Sequence, residues 1–209
     1  MSSPCIEVAD APATQAFIAN PKDASLVAPA LDILKNSKGI IKVYYGLQAE
    51  DRKHAYVYNV WEGLQDHRNL QADAVTYPIL GKNVGQFMTR ASDMVHIYPN
   101  SDPYKALGAP ATELAYFKAK PGVAVAQVDA KIKGLVDTVN GLPEQWGVIS
   151  AVYGPTEEDA NTLGLIIGWT SVDAHWNTVK TVPELIQLLT ETREIAEISL
   201  THQELSLWA

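Results

Sequence analysis

Residues 39–69 read GIIKVYYGLQAEDRKHAYVYNVWEGLQDHRN, and residues 147–177 read GVISAVYGPTEEDANTLGLIIGWTSVDAHWN. The two stretches align without a gap at an offset of 108 residues. Nine of the 31 positions are identical: Gly39, Ile41, Tyr45, Gly46, Glu50, Asp51, Trp61, His67 and Asn69 recur as Gly147, Ile149, Tyr153, Gly154, Glu158, Asp159, Trp169, His175 and Asn177. Roughly two identities would arise by chance, so the chain is built from a repeat about half its own length. Each copy places a Trp six residues before a His.

Within the first copy, residues 40–45 are β-branched and aromatic and predict a strand. The polar, acidic run 46–53 predicts a hairpin connection, and 54–61 the returning strand. Alternation places His54, Tyr56, Tyr58 and Val60 on one face of that strand, and Ala55, Val57, Asn59 and Trp61 on the other. After Trp61 the apolar spacing becomes helical, with Leu64, His67 and Ala74 on one stripe and a break expected at Pro78. Upstream, Leu26, Ala30, Ile33 and Leu34 predict a helix over 25–37, ended at Lys38-Gly39. Short apolar stretches at 4–9 and 94–98 read as the first and last strands of the unit. The second half repeats the order, from TELAYF at 112–117 to a closing strand over 197–203.

Each unit is therefore βαββαβ, the ferredoxin-like order, with two helices on one face of a four-stranded antiparallel sheet. Apolar residues occupy both faces of the strands, so the second face must also be covered. The fold class expected is α+β: two tandem ferredoxin-like units, 1–100 and 108–209, whose antiparallel sheets pack into an intramolecular α+β barrel. A fused pair needs no second chain to close that barrel, so a monomer is expected, with a further homodimer allowed.

The 209 residues carry a net charge of -8 and no basic run, which argues against nucleic acid as a partner. No segment is long and apolar enough to span a bilayer, and MSSPCIEVADAPATQ lacks the pattern of a signal peptide. The single cysteine, Cys5, fits a reducing, cytoplasmic compartment and has no base beside it in sequence. The five His residues show no metal-ligand spacing, so no metal is expected. A phosphate-binding Gly-rich loop and GxSxG are both absent, so no nucleotide cofactor is implied.

A βαββαβ unit with Trp and His across the strand-to-helix junction resembles the antibiotic-biosynthesis-monooxygenase type of the dimeric α+β barrel superfamily. The residues that carry the resemblance are WEGLQDH at 61–67 and WTSVDAH at 169–175. The usual member is a single unit that dimerises; here both halves lie in one chain. The resemblance implies a cofactor-independent enzyme acting on a hydrophobic aromatic or polyketide-like substrate. The superfamily also contains polyketide cyclases, haem-degrading enzymes and members of unknown role, so a cyclase, a lyase or a non-catalytic ligand-binding barrel remain as alternatives.

His67 and His175 fall on the apolar stripes of their helices, where a neutral imidazole can take or give a proton. Both are assigned to proton transfer, with Tyr58 beside His67. Asn59 is the competing neighbour, because Tyr58 and Asn59 point to opposite faces and only one can share the pocket of His67. Trp61, Trp169, Tyr45 and Tyr153 are assigned, with Asn59, to lining a substrate pocket. His96 pairs with Tyr98 on one face of its strand, and His202, near the C-terminus, is expected at the surface or partly covered. A cavity beside His67 or His175 would favour an enzyme, and a filled core there a structural barrel.

Overall fold

The computed structural model describes residues 4–209. The first three residues, which open both the N-terminal stretch and the 1–100 range, lie outside it. The chain divides into two compact units: one ends at His96 and takes in Leu205–Ala209, and the other is Ile97–Glu204.

The first unit runs β1 (Cys5–Pro12), α1 (Gln15–Ala19), α2 (Ala24–Lys35), β2 (Ile40–Gln48), β3 (His54–Trp61), α3 (Leu64–Gln71), α4 (Thr76–Val84) and β4 (Asp93–Ile97). Its strand order is β4-β1-β3-β2, the ferredoxin-like order, with β1 and β2 both antiparallel to β3. The C-terminal residues extend the sheet beside β2: Trp208 N–H donates to Val43, and Val43 N–H to Ala209. The second unit runs α5 (Tyr104–Leu107), β5 (Ala111–Ala119), α6 (Val125–Asn140), β6 (Val148–Pro155), β7 (Thr162–Trp169), α7 (Val172–Thr181), α8 (Pro183–Ile195) and β8 (Ala196–Leu207). Its strand order, β8-β5-β7-β6, is the same ferredoxin-like order. The fold class is thus α+β in both units. Among the described residues no helix is long and apolar enough to cross a membrane.

The identities of the repeat have local causes. Gly39 and Gly147 both hold φ in the left-handed region, at 82° and 74°. A β carbon at Gly39 would also run into the Asp66 side chain, and one at Gly147 into Thr170 and Ala174. The Gly39 carbonyl accepts the N–H of Glu62 at 2.7 Å, and the Gly147 carbonyl that of Thr170 at 2.8 Å. Each glycine therefore clamps the residue that follows the Trp. A register shift one residue later, at Ile40/Lys42 and again at Val148/Ser150, recurs in both copies.

One local expectation changes. The helix after Trp61 breaks not at Pro78 but at 72–75, where the Asp73 carboxylate accepts the N–H groups of Val75 and Thr76. Pro78 sits in the first turn of α4, where its missing N–H costs nothing.

The paired glycines give a direct test. Gly39→Ala and Gly147→Ala should each lower unfolding free energy by at least about 1–2 kcal/mol, from the left-handed backbone alone. Urea unfolding of both variants checks this, and unchanged midpoints would contradict it.

Candidate functional site

In the first unit three strands and one helix bring five side chains to one point. β1 supplies Glu7, β3 supplies Asn59 and Trp61, α3 supplies His67, and β4 supplies His96. Register explains the grouping: Glu7 lies opposite Asn59, and Cys5 opposite Trp61, so Glu7, Asn59 and Trp61 share the face that α3 covers. All five are at most 6% exposed. A buried carboxylate must be held by donors. Trp61 Nε1 donates to Glu7 Oε2 at 2.8 Å, and Asn59 Nδ2 donates to the same oxygen at 3.1 Å. The Trp61 ring also stacks on the His67 imidazole, with centroids 5.3 Å apart and planes 16° from parallel. His67 Nδ1 lies 2.7 Å from His96 Nε2 and 3.6 Å from Glu7 Oε2.

The second unit repeats this frame with Glu113 from β5, Trp169 from β7, His175 from α7 and His202 from β8. Trp169 Nε1 donates to Glu113 Oε2 at 2.8 Å. His175 Nδ1 lies 2.8 Å from His202 Nε2, and its other nitrogen, Nε2, lies 3.5 Å from Glu113 Oε2. Ile167 stands opposite Glu113, where the first unit has Asn59. Either triad, Glu7–His67–His96 or Glu113–His175–His202, brings donor atoms close enough to share a metal ion.

The surroundings differ. Beside Glu7, Asn59 and His67 lies a cavity of about 510 Å³, walled mainly by Ala9, Leu34, Val57, Leu80, Val84 and Met88. In the second unit Leu135, Val139, Leu185, Leu189, Ile198 and Leu200 leave about 50 Å³ at the equivalent place. Helix length accounts for this. α8 has 13 residues and brings Leu185 and Leu189 against the sheet, whereas α4 has 9 and carries Gly81, beyond which lies open space. Trp176 then lays its ring against His175, 4.5 Å between centroids, and edge-on to His202. The first unit has Arg68 at that position.

Of the residues assigned from sequence, His67, Asn59 and Trp61 come together, and His175 joins Trp169. Tyr58 does not reach the site. It lies on the opposite face of β3, buried, with its ring stacked 6.2 Å from Tyr56. Tyr45 packs among Phe17 and Trp208 and is not part of the cavity wall; burial raises its pKa above the ordinary phenol value. Tyr153 belongs to the core of the second unit, its pKa raised by burial and then by Asp129. His202 is fully buried rather than near the surface, because β8 sets it directly opposite Glu113. Tyr98 donates to Glu157. The strand glycines Gly164 and Gly168 make room for Ile97 and for Ala106 and Ala109, so their role is packing.

Sequence reasoning missed Glu7 and Glu113. The signal was a lone acidic residue inside an apolar strand, IEVA at 6–9 and TELA at 112–115. These residues, like His96 and His202, are related by an offset of 106, not 108, so an ungapped alignment passes over them.

No protein-family model matches the chain, and no curated protein sequence matches it. Solved structures match in fold. A candidate monooxygenase from Fusobacterium nucleatum subsp. nucleatum superposes with a TM-score of 0.71 at 11% identity, over 99% of this chain and 94% of that one. A candidate monooxygenase from Lactobacillus acidophilus gives 0.66 at 12% identity, over 99% and 96%. An anthrone oxidase-like protein gives 0.66 at 10%, over 99% and 92%. At these identities the likeness is one of fold.

Burial, reinforced by neighbouring His202 and Lys180, holds His175 down at about 3. Glu113, already engaged by Trp169, pulls the other way. An unfolded His takes a proton as pH falls through about 6.5, while folded His175 stays neutral. Its contribution to stability is therefore complete above about pH 6.5 and is lost as pH falls towards 3. Urea unfolding at pH 7.5 and 4.5, in chelator, should show that His175→Gln removes up to about 2–3 kcal/mol of the pH difference. An equal difference in the variant and the parent would contradict the buried neutral imidazole.

Proposed function

We propose that the first unit is the working half of a small-molecule enzyme of oxygenase type. The chain is read as a tandem member of the antibiotic-biosynthesis-monooxygenase type of the dimeric α+β barrel superfamily, acting on a hydrophobic, aromatic or polyketide-like substrate. The observation that carries this reading is the apolar cavity of about 510 Å³ that ends on a buried Glu–His–His triad. Such a space holds a planar substrate away from water and leaves a few polar groups to orient it. The names of the structures similar in fold, monooxygenase and anthrone oxidase-like, support the same class.

Glu7, Asn59 and His67 reach the cavity wall, and His96 stands behind His67. A phenol conjugated to an acidic CH2 group would lose a proton to His67, which His96 and Glu7 hold in place. The resulting carbanion is electron-rich enough to reduce oxygen itself. Conversion of CH2 to C=O releases four electrons. These reduce one O2, with one oxygen entering the new carbonyl and the other leaving as water. No reductant other than the substrate is needed. Every lining residue belongs to the first unit. The second unit, with its equivalent space filled, keeps the triad as a core element.

Oxygen uptake with a panel of anthrone-like and other polycyclic phenols tests the reading. One O2 should be consumed per substrate without NAD(P)H or flavin. His67→Ala should cut kcat by about 10²–10⁴-fold, the ordinary contribution of a general base, with circular dichroism unchanged. Full activity in folded His67→Ala, or loss of activity only in His175→Ala, would overturn it.

A further inference from the structure

The first triad gathers three potential ligand atoms, from Glu7, His67 and His96, around one point. His67 Nδ1 carries at most one hydrogen. It faces His96 Nε2 at 2.7 Å, and Glu7 Oε2 is a second acceptor at 3.6 Å, beyond hydrogen-bond range. Three atoms with lone pairs thus surround one small volume. A cation between the three could be shared by all of them. Bonds of about 2.0–2.2 Å to His nitrogen and carboxylate oxygen set ligand edges of about 3.0 Å in an octahedral site and about 3.4 Å in a tetrahedral one. The His67–His96 and His67–Glu7 edges, 2.7 and 3.6 Å, bracket these values, and all three donor atoms lie within 4.8 Å of one another.

Two further observations favour an ion. Trp61 and Asn59 both donate to Glu7 Oε2, which fixes the carboxylate beside His67, with Oε1 as its second oxygen. Asn59 Oδ1 is, among the described residues, the one buried side-chain oxygen or nitrogen without a hydrogen-bond partner. Asn59 is 1% exposed and lines the cavity, so a water or hydroxide on a bound ion would supply the missing donor.

We propose that Glu7, His67 and His96 bind one divalent first-row transition metal, with its open positions facing the apolar cavity. Two imidazoles and one carboxylate, with positions left open, suit Fe(II) first and Zn(II) second. The proposal rests on the reading of this triad as the reacting end of the cavity, and it changes what His67 does there. With the ion in place His67 is a ligand. An ion held there would supply a bound hydroxide to take the substrate proton, since a bound divalent ion can bring the pKa of water close to neutrality. In the second unit His175 turns different nitrogens to its two partners and Trp176 covers the triad, so that cluster is assigned to packing.

The test uses the full chain without a purification tag, stripped with chelator and titrated anaerobically with Fe(II), and separately with Zn(II) and Co(II). Calorimetry should show one equivalent bound, and Co(II) should show the visible bands of a nitrogen- and oxygen-ligated ion. Glu7→Gln, nearly isosteric, and His96→Asn should weaken binding more than about 100-fold, while Asn59→Leu weakens it about 10–100-fold. His175→Asn should leave it unchanged. No binding to the folded parent, binding unaffected by Glu7→Gln and His96→Asn, or binding lost only in His175→Asn would each overturn the site. Oxygen uptake by metal-free protein would remove the metal and leave the enzymatic reading. Tight metal binding with no turnover on any phenol would do the reverse.

Discussion

The constraint on which this architecture depends is a carboxylate taken out of water. Glu7 sits in the middle of an apolar strand at 4% exposure, and Glu113 does the same in the second unit. Leaving such a charge unpaired costs about 3–5 kcal/mol. The indole N–H of Trp61 or Trp169 meets it at 2.8 Å in each unit. That requirement places the Trp at the end of its strand, opposite Cys5 or Ala111. The glycine carbonyl that clamps the next residue fixes where the strand stops. The following helix then sets its His against the indole ring, 5.3 Å away in one unit and 5.0 Å in the other. The Trp-to-His spacing of the sequence is thus the outward mark of a buried Glu that sequence spacing does not show.

One frame yields two environments because the helices that cover it differ. The leucines of α6 and α8 fill the space over Glu113 and His175. The shorter α4, with Gly81, leaves the face over Glu7 and His67 open. Asn59 against Ile167 follows the same division: the polar group lines the open space, and the apolar one, with Trp176, closes the other. A filled copy that keeps its Glu, Trp and two His shows that the cluster also serves packing. The open copy adds room for a ligand and an oxygen that lacks a donor.

The element order and sheet topology were legible from the ungapped repeat, because strand alternation and helical spacing survive wherever a face is buried. So was the pairing of Trp with His, and the rule that either Asn59 or Tyr58, but not both, could stand by His67. The partners were not legible. Glu7 and His96 reach His67 from strands 60 and 29 residues away, through register that local patterns do not encode. His202 looked peripheral because it lies seven residues from the C-terminus, yet β8 continues past it and buries it completely. The difference between an open and a filled cavity rests on helix length and on leucine positions in α6 and α8, which no single motif records. Metal-ligand spacing was absent from the sequence for the same reason: the three donors come from three separate elements.

A ligand-bound crystal structure tests the central point most directly: that the reacting end of this protein is the buried triad of the first unit. Crystals soaked with a small planar phenol such as 2-naphthol should show it in the cavity over Val57 and Leu80. Its hydroxyl should lie within about 3 Å of His67, Asn59 or an ion held by Glu7, His67 and His96, with nothing bound beside His175. A ligand found beside His175, or confined to the surface with the first cavity collapsed, would contradict the assignment.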